Sequence, residues 1–156
     1  MHWSVALPLG LMAVGVRGVP LANDTLASCL EAAQTPYYLS TSKNWTTFNS
    51  PFNERVKFNP VAIAVPETAK QAQDALLCGR QNKVKVTPKS GGHSYASLGF
   101  GGEDGHLVIQ LDRMNNVSVD NKTNIATVAA GTRLGHLALQ LYNQGNRAIS
   151  HGTCPG

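Results

Sequence analysis

Two short segments hold the residue types that could do chemistry. The first, Thr87-Pro88-Lys89-Ser90-Gly91-Gly92-His93-Ser94-Tyr95, places an imidazole directly after a Gly-Gly pair. The second, His151-Gly152-Thr153-Cys154-Pro155-Gly156, presents a thiol in a glycine-flanked turn. A Gly-Gly pair leaves backbone N–H groups uncovered by any Cβ, so they can approach an anion such as a pyrophosphate. Imidazole and thiolate are both nucleophiles, and each sits where the backbone can come close to a bound molecule. Together the segments read as a cofactor cradle with two attachment points.

Competing chemistries fit less well. No Gly-x-x-x-x-Gly-Lys-Ser/Thr loop is present, and no Gly-x-Gly-x-x-Gly opens a helix after a strand. His93, His106, His151 and Cys154 are candidate zinc ligands, but their spacings match no compact zinc signature, so no metal site is expected. A hydrolase built on Cys154 with His93 or His151 lacks a marked third, orienting residue.

The elements that must position these turns follow from hydrophobic period and turn chemistry. Val61-Ala62-Ile63-Ala64-Val65 is a short apolar run, rich in β-branched residues and ended by Pro66, and reads as a buried strand. Residues 67–82 carry Ala69, Ala72, Leu76 and Gly79 at helical spacing, and Val84-Lys85-Val86 reads as a strand running into the Gly-Gly-His turn. Strand, helix, strand in that order implies a parallel pair joined by a crossover. Residues 98–105 hold four glycines and read as loop. Strands are expected at 107–111, 117–119 and 125–129, the last two joined by a hairpin turn at 120–124. Residues 132–144 form an amphipathic helix with Leu134, Leu137, Ala138, Leu141 and Tyr142 on one face, and Gly145 suits its end. Ala148-Ile149-Ser150 reads as a final strand delivering the thiol turn. The fold class is therefore α+β, a mixed α/β unit. No repeat or low-complexity tract interrupts it.

Composition bounds the rest. The chain has 156 residues, 42% hydrophobic and 14% charged, enough for one core and too apolar for disorder. A net charge of +4 would mark a nucleic-acid partner only if clustered. Arg80, Lys83, Lys85 and Lys89 do crowd together, but without interleaved aromatic residues, and read as a solvated rim. If that group acts at all, it does so near the phosphates of a cofactor held by the adjoining turn. Residues 5–16 are uncharged and mostly apolar, too short for a bilayer span and suited to a signal-peptide core. Residues 1–22 thus read as a signal peptide, with cleavage expected somewhere between Gly18 and Ala22, 23–57 as an N-terminal helix and extended segment, and 58–156 as the domain proper. Sequons at Asn23, Asn44, Asn116 and Asn121 agree with secretion. In an oxidising compartment three cysteines leave an odd thiol. Pairing Cys29 with Cys78 would close a loop of about fifty residues, worth about 4 kcal/mol, and would leave Cys154 over.

With their flanks, the two turns form a specific pattern. Ser90-Gly91-Gly92-His93-Ser94-Tyr95, Leu111-Asp112-Arg113-Met114, Ala130-Gly131-Thr132-Arg133-Leu134-Gly135 and Gly152-Thr153-Cys154-Pro155-Gly156 occur in that order. The chain resembles the berberine-bridge-enzyme-like flavoproteins, with their PCMH-type FAD-binding domain, and within them the fungal glucooligosaccharide and chitooligosaccharide oxidases. The resemblance implies that FAD is held bicovalently, through His93 to the 8α-methyl carbon and Cys154 to C6 of the flavin. It implies further that Ser90, Gly91, Gly92 and Ser94 line the pyrophosphate, and that Gly152, Thr153 and Gly156 lie against the ring. It also pairs Cys29 with Cys78.

The implied function is a secreted oxidase. It would oxidise the reducing-end hydroxyl of an oligosaccharide to a lactone and pass the electrons to O2, giving H2O2. Implied partners are the oligosaccharide and O2, with no nucleic acid, no membrane once the signal is removed, and a monomeric state. Family members are several times longer. The chain is expected to be the N-terminal part of the FAD-binding domain without the substrate domain, with the catalytic base beyond Gly156 and no catalytic residue within it. Two alternatives stand beside this: an oxidase of a secondary metabolite or alkaloid, and an inactive truncated remnant.

Overall fold

The computed structural model describes residues 22–156. The expected signal peptide, apart from its last residue, lies outside them. Among the described residues, no helix is long and apolar enough to cross a membrane.

Helix α1 (Ala22–Ala32) buries Leu26 and Leu30, one turn apart on a single face. Strand β1 (Tyr37–Tyr38) and the single turn α2 (Trp45–Phe48) follow in a stretch that sequence patterning leaves extended. They are ordered by their aromatic residues. Tyr38 stacks on Phe48 with centroids 4.3 Å apart, and both pack with Trp45 against Ile63, Val65, Phe100 and Val108.

Strand β2 (Ala62–Ala64) is buried on both faces, as its continuous apolar run predicts. Helix α3 (Ala69–Gln81) starts from Thr68, whose hydroxyl accepts the Gln71 N–H at 3.2 Å. Strand β3 (Val86–Lys89) begins later than expected and runs through Pro88 directly to the Gly-Gly turn. Strand β4 (Leu107–Gln110) is wholly buried.

The main sheet has the order β1-β2-β4-β3. The expected parallel neighbours β2 and β3 are not adjacent, because β4 lies between them and pairs in parallel with both. The reason is local. Pro88 has no backbone N–H to give to a ladder, which suits β3 to an edge, while Leu107, Val108 and Ile109 need burial on both faces. Helices α1 and α3 cover one face and are tied by a Cys29–Cys78 disulfide, with S–S 1.99 Å and Cα–Cα 5.7 Å.

A second sheet pairs β5 (Val117–Asp120) with β6 (Ile125–Val128) antiparallel. The Asp120 carboxylate accepts the N–H groups of Lys122 and Thr123, and Asn124 takes the left-handed conformation, so the turn forms where expected. Helix α4 (Leu134–Asn143) buries Leu137 and Leu141 against Val117. Tyr142 is not on that face; it is 63% exposed. Residues 98–105 are loop except for one 3₁₀ turn, Leu98–Phe100. The strand expected at Ala148-Ile149-Ser150 is absent: among the described residues these exposed positions pair with no other strand, and without a ladder three residues do not hold an extended pairing.

Candidate functional site

The Gly-Gly-His turn leaves the carboxyl end of β3, beside the carboxyl end of the parallel strand β4. Open α/β sheets bind ligands at this end, where successive loops diverge. Gly92 has φ +70°, and a Cβ there would stand 2.7 Å from Lys89 Cε, so the position needs glycine twice over. Ser90 is fixed by donating its hydroxyl to the Ala130 carbonyl at 2.6 Å. Ser94 Oγ accepts the Leu98 N–H at 3.2 Å. His93 is exposed and packs edge-on against Phe52, centroids 5.3 Å apart.

A second strand end frames the turn. Arg133, at the start of α4, donates one N–H to the Gly91 carbonyl at 3.1 Å and another to Asp112 Oδ1 at 3.1 Å. With the Gly91 carbonyl and the Asp112 carboxylate turned to Arg133, the N–H side of the turn is left open. Gly131 makes this approach possible: a Cβ there would overlap the Leu111 carbonyl oxygen, so only glycine lets the two loops touch.

The thiol turn docks on the same helix start. Gly135 donates its N–H to the Pro155 carbonyl at 2.8 Å, which holds Cys154 beside the first turn of α4. Cys154 is exposed and unpaired, and His151 Nδ1 lies 2.6 Å from the Gly152 carbonyl. One small cavity is lined by Gly91, His93, Thr132, Arg133, Leu134, Cys154 and Gly156, and a neighbouring one by Phe52, His93, Tyr95, Cys154 and Gly156. The imidazole and the thiol therefore share one cleft. Its wall includes Arg133 and the positive end of α4, which favour negative charge there.

On the other side of the turn lies a cavity of about 330 Å³ whose lining includes Phe48, Phe52, Lys89, Gly91, Gly92, His93, Gln110, Asp112 and Arg133. Lys89 corrects the reading of the basic group as a solvated rim. It is 7% exposed, whereas Arg80, Lys83 and Lys85 lie at the surface and Lys85 pairs with Glu103. Lys89 Nζ sits 4.2 Å from the Phe100 ring centroid and donates to the Phe48 carbonyl at 3.4 Å. Burial pushes its pKa down, partly opposed by Asp112 and reinforced by Arg133.

Of the residues singled out from sequence, Ser90, Gly91, Gly92, His93, Cys154 and Gly156 meet around this turn, with Gly152 against Leu134. His106 does not: it is buried behind β3, 2.6 Å from Thr87 Oγ1 and 3.2 Å from Glu103 Oε1. Gln110, Asp112 and Arg133 were missed as site residues in their own right. Asp112 and Arg133 stand inside quoted motifs, but Gln110 carries no local signal.

Comparison with known proteins follows the same geometry. Residues 60–155 match the FAD binding domain family. A xylooligosaccharide oxidase of Thermothelomyces thermophilus is 57% identical over 154 residues, covering 96% of this chain and 31% of that protein. The structure of a xylooligosaccharide oxidase from Myceliophthora thermophila C1 with xylobiose superposes with TM-score 0.80 at 55% identity, over 84% of this chain and 28% of that one. A glucooligosaccharide oxidase from Acremonium strictum, described as carrying 6-S-cysteinyl, 8α-N1-histidyl FAD, superposes with TM-score 0.81 at 48% identity, over 84% and 27%. The chain thus spans under a third of the length of these relatives.

Proposed function

The chain belongs to the FAD binding domain family, and we propose that it forms the flavin-holding part of a secreted carbohydrate oxidase. The observation that carries the reading is the shared cleft: His93 and Cys154, distant in sequence, line the same cavities. Two nucleophiles at one cleft suit a doubly attached ring, as described for the A. strictum enzyme.

The residues present fit the group. The Gly91–Gly92 peptides offer uncovered N–H groups next to a buried cation, and Gln110 Oε1 is a buried acceptor with no partner. When bound, FAD supplies hydride acceptance from a substrate C–H and electron transfer to O2. The chain's own residues do the holding. His93 and Cys154 anchor the ring, Ser90, Gly91, Gly92 and Ser94 form the phosphate turn, and Gly152, Thr153 and Gly156 border the ring. Arg133 orients the turn by holding the Gly91 carbonyl. Phe52 packs on His93 and limits where its imidazole can point. A flavin tied at two places needs no enclosing wall to retain it, which leaves the site open to a bulky sugar.

Similarity to the xylooligosaccharide and glucooligosaccharide oxidases supports an oligosaccharide substrate. Our reading extends this to oxidation of the reducing end to a lactone, with O2 reduced to H2O2. Secretion and glycosylation belong to the same reading. Asn44, Asn116 and Asn121 are exposed, and Asn23 lies in α1.

The test is acid denaturation of protein expressed with FAD, followed by measurement of flavin that stays with the polypeptide. Retention in wild type and in each of His93→Ala and Cys154→Ala, with loss only in the double variant, is the expected result. A colourless denatured wild type ends the proposal.

A further inference from the structure

The geometry points to Lys89 and Gln110 as a paired well for the phosphorylated polyol arm of the flavin cofactor, an assignment that rests on the reading above and extends it. The two residues are direct Cα partners across the β3–β4 ladder, the last pair before both strands end. Paired residues of neighbouring strands share a face, so both side chains rise at the carboxyl edge of the sheet beside Gly91 and Gly92.

Each is buried with hydrogen-bonding capacity left over. Lys89 is 7% exposed and Gln110 3%. The Lys89 ammonium has three donors, and its acceptor is the Phe48 carbonyl at 3.4 Å, with the Phe100 ring beneath. Among the described residues, none of its hydrogen bonds goes to a carboxylate. Buried charges are ordinarily paired with an opposite charge. Gln110 donates its Nε2 to Asp112, and since a carboxylate accepts only from donors, that contact fixes the amide orientation. Oε1 is then a buried acceptor without a partner.

The well therefore offers a cation and a neutral acceptor side by side, next to the open N–H groups of a Gly-Gly turn. A phosphate oxygen suits the ammonium, and a hydroxyl donor suits the amide oxygen. A sugar-alcohol chain ending in a phosphate carries both within a few bonds, and FAD contains that unit. A bare anion would leave Gln110 unpaired, and an uncharged sugar would leave Lys89 so. Asp112 helps from behind by orienting Gln110 and by opposing the effect of burial on Lys89.

The experiment uses the His93→Ala/Cys154→Ala protein, so that flavin binding is reversible, and compares FAD, riboflavin and lumiflavin by fluorescence titration. Lys89→Met is expected to weaken FAD about tenfold or more and leave riboflavin, which lacks phosphate, unchanged. Lys89→Arg should restore most of the FAD affinity. Gln110→Leu should weaken FAD and riboflavin alike and spare lumiflavin, which lacks the polyol. If Lys89→Met weakens FAD and riboflavin equally, the lysine is only a strut and the assignment fails. It fails too if FAD binding is unmoved. Wild type that retains no flavin after acid denaturation overturns the parent reading instead, so the two failures are distinct.

Discussion

Gly92→Ala isolates the contact that shapes the Gly-Gly-His turn. At φ +70° an alanine carries left-handed strain of about 1 kcal/mol, and its Cβ would also stand 2.7 Å from Lys89 Cε. Lys89 is packed between the turn and Phe100, so its stem cannot swing away freely; moving it resembles overpacking a core, about 1–3 kcal/mol. The expected cost is therefore about 2–4 kcal/mol. Gly105→Ala is the internal control. Its φ is +87° but no atom lies within 4 Å of the added Cβ, so it should cost only the strain, about 1 kcal/mol. The assay is urea unfolding of the flavin-free His93→Ala/Cys154→Ala protein, followed by tryptophan fluorescence. In a Lys89→Ala background, Gly92→Ala should fall to about the Gly105→Ala value, a coupling of about 1–3 kcal/mol. If Gly92→Ala costs no more than Gly105→Ala, or if truncating Lys89 gives no relief, the packing of lysine under the turn is refuted.

Further expectations concern the staple, the charge and the frame. Cys29 and Cys78 are 49 residues apart, so Cys29→Ala/Cys78→Ala should lower the unfolding free energy by about 4 kcal/mol in denaturant titration, the loop-entropy value for that length. Burial puts the folded pKa of Lys89 below its unfolded value, so the ligand-free protein should gain stability as pH rises from that lowered value towards the ordinary lysine range. Phosphate attraction needs the charged form, so FAD affinity of the reversible variant should fall over the same rise in pH, and Lys89→Arg should abolish the fall. Arg133→Ala frees the Gly91 carbonyl; with both charged partners more than a third exposed, its stability cost should be only about 1 kcal/mol, while covalent flavin yield drops.

Much of the frame was legible because it obeys local rules. The period-3.6 spacing gave α3 and α4, the Asp120 turn gave the hairpin, and the apolar runs gave β2 and β4. Tyr142 was placed wrongly because a helical stripe shows which residues are apolar, not how wide the covering layer is. The elements between residues 37 and 48 were invisible because their stability comes from Tyr38, Trp45 and Phe48 meeting a core built much later in the chain.

The sequence by itself determined the chemistry available: a Gly-Gly-His turn, a spare thiol near a Pro-Gly, and a cysteine pair fit for a staple. Tertiary structure decided which of these meet. Inserting β4 between β2 and β3 set Gln110 against Lys89 and turned a residue read as a surface charge into a buried one. The Gly135–Pro155 bond then brought the thiol to the imidazole's cleft. Strand order and loop docking are fixed by contacts between residues far apart in the chain. No local pattern encodes them, because their energy exists only once the sheet has closed around its most apolar strand.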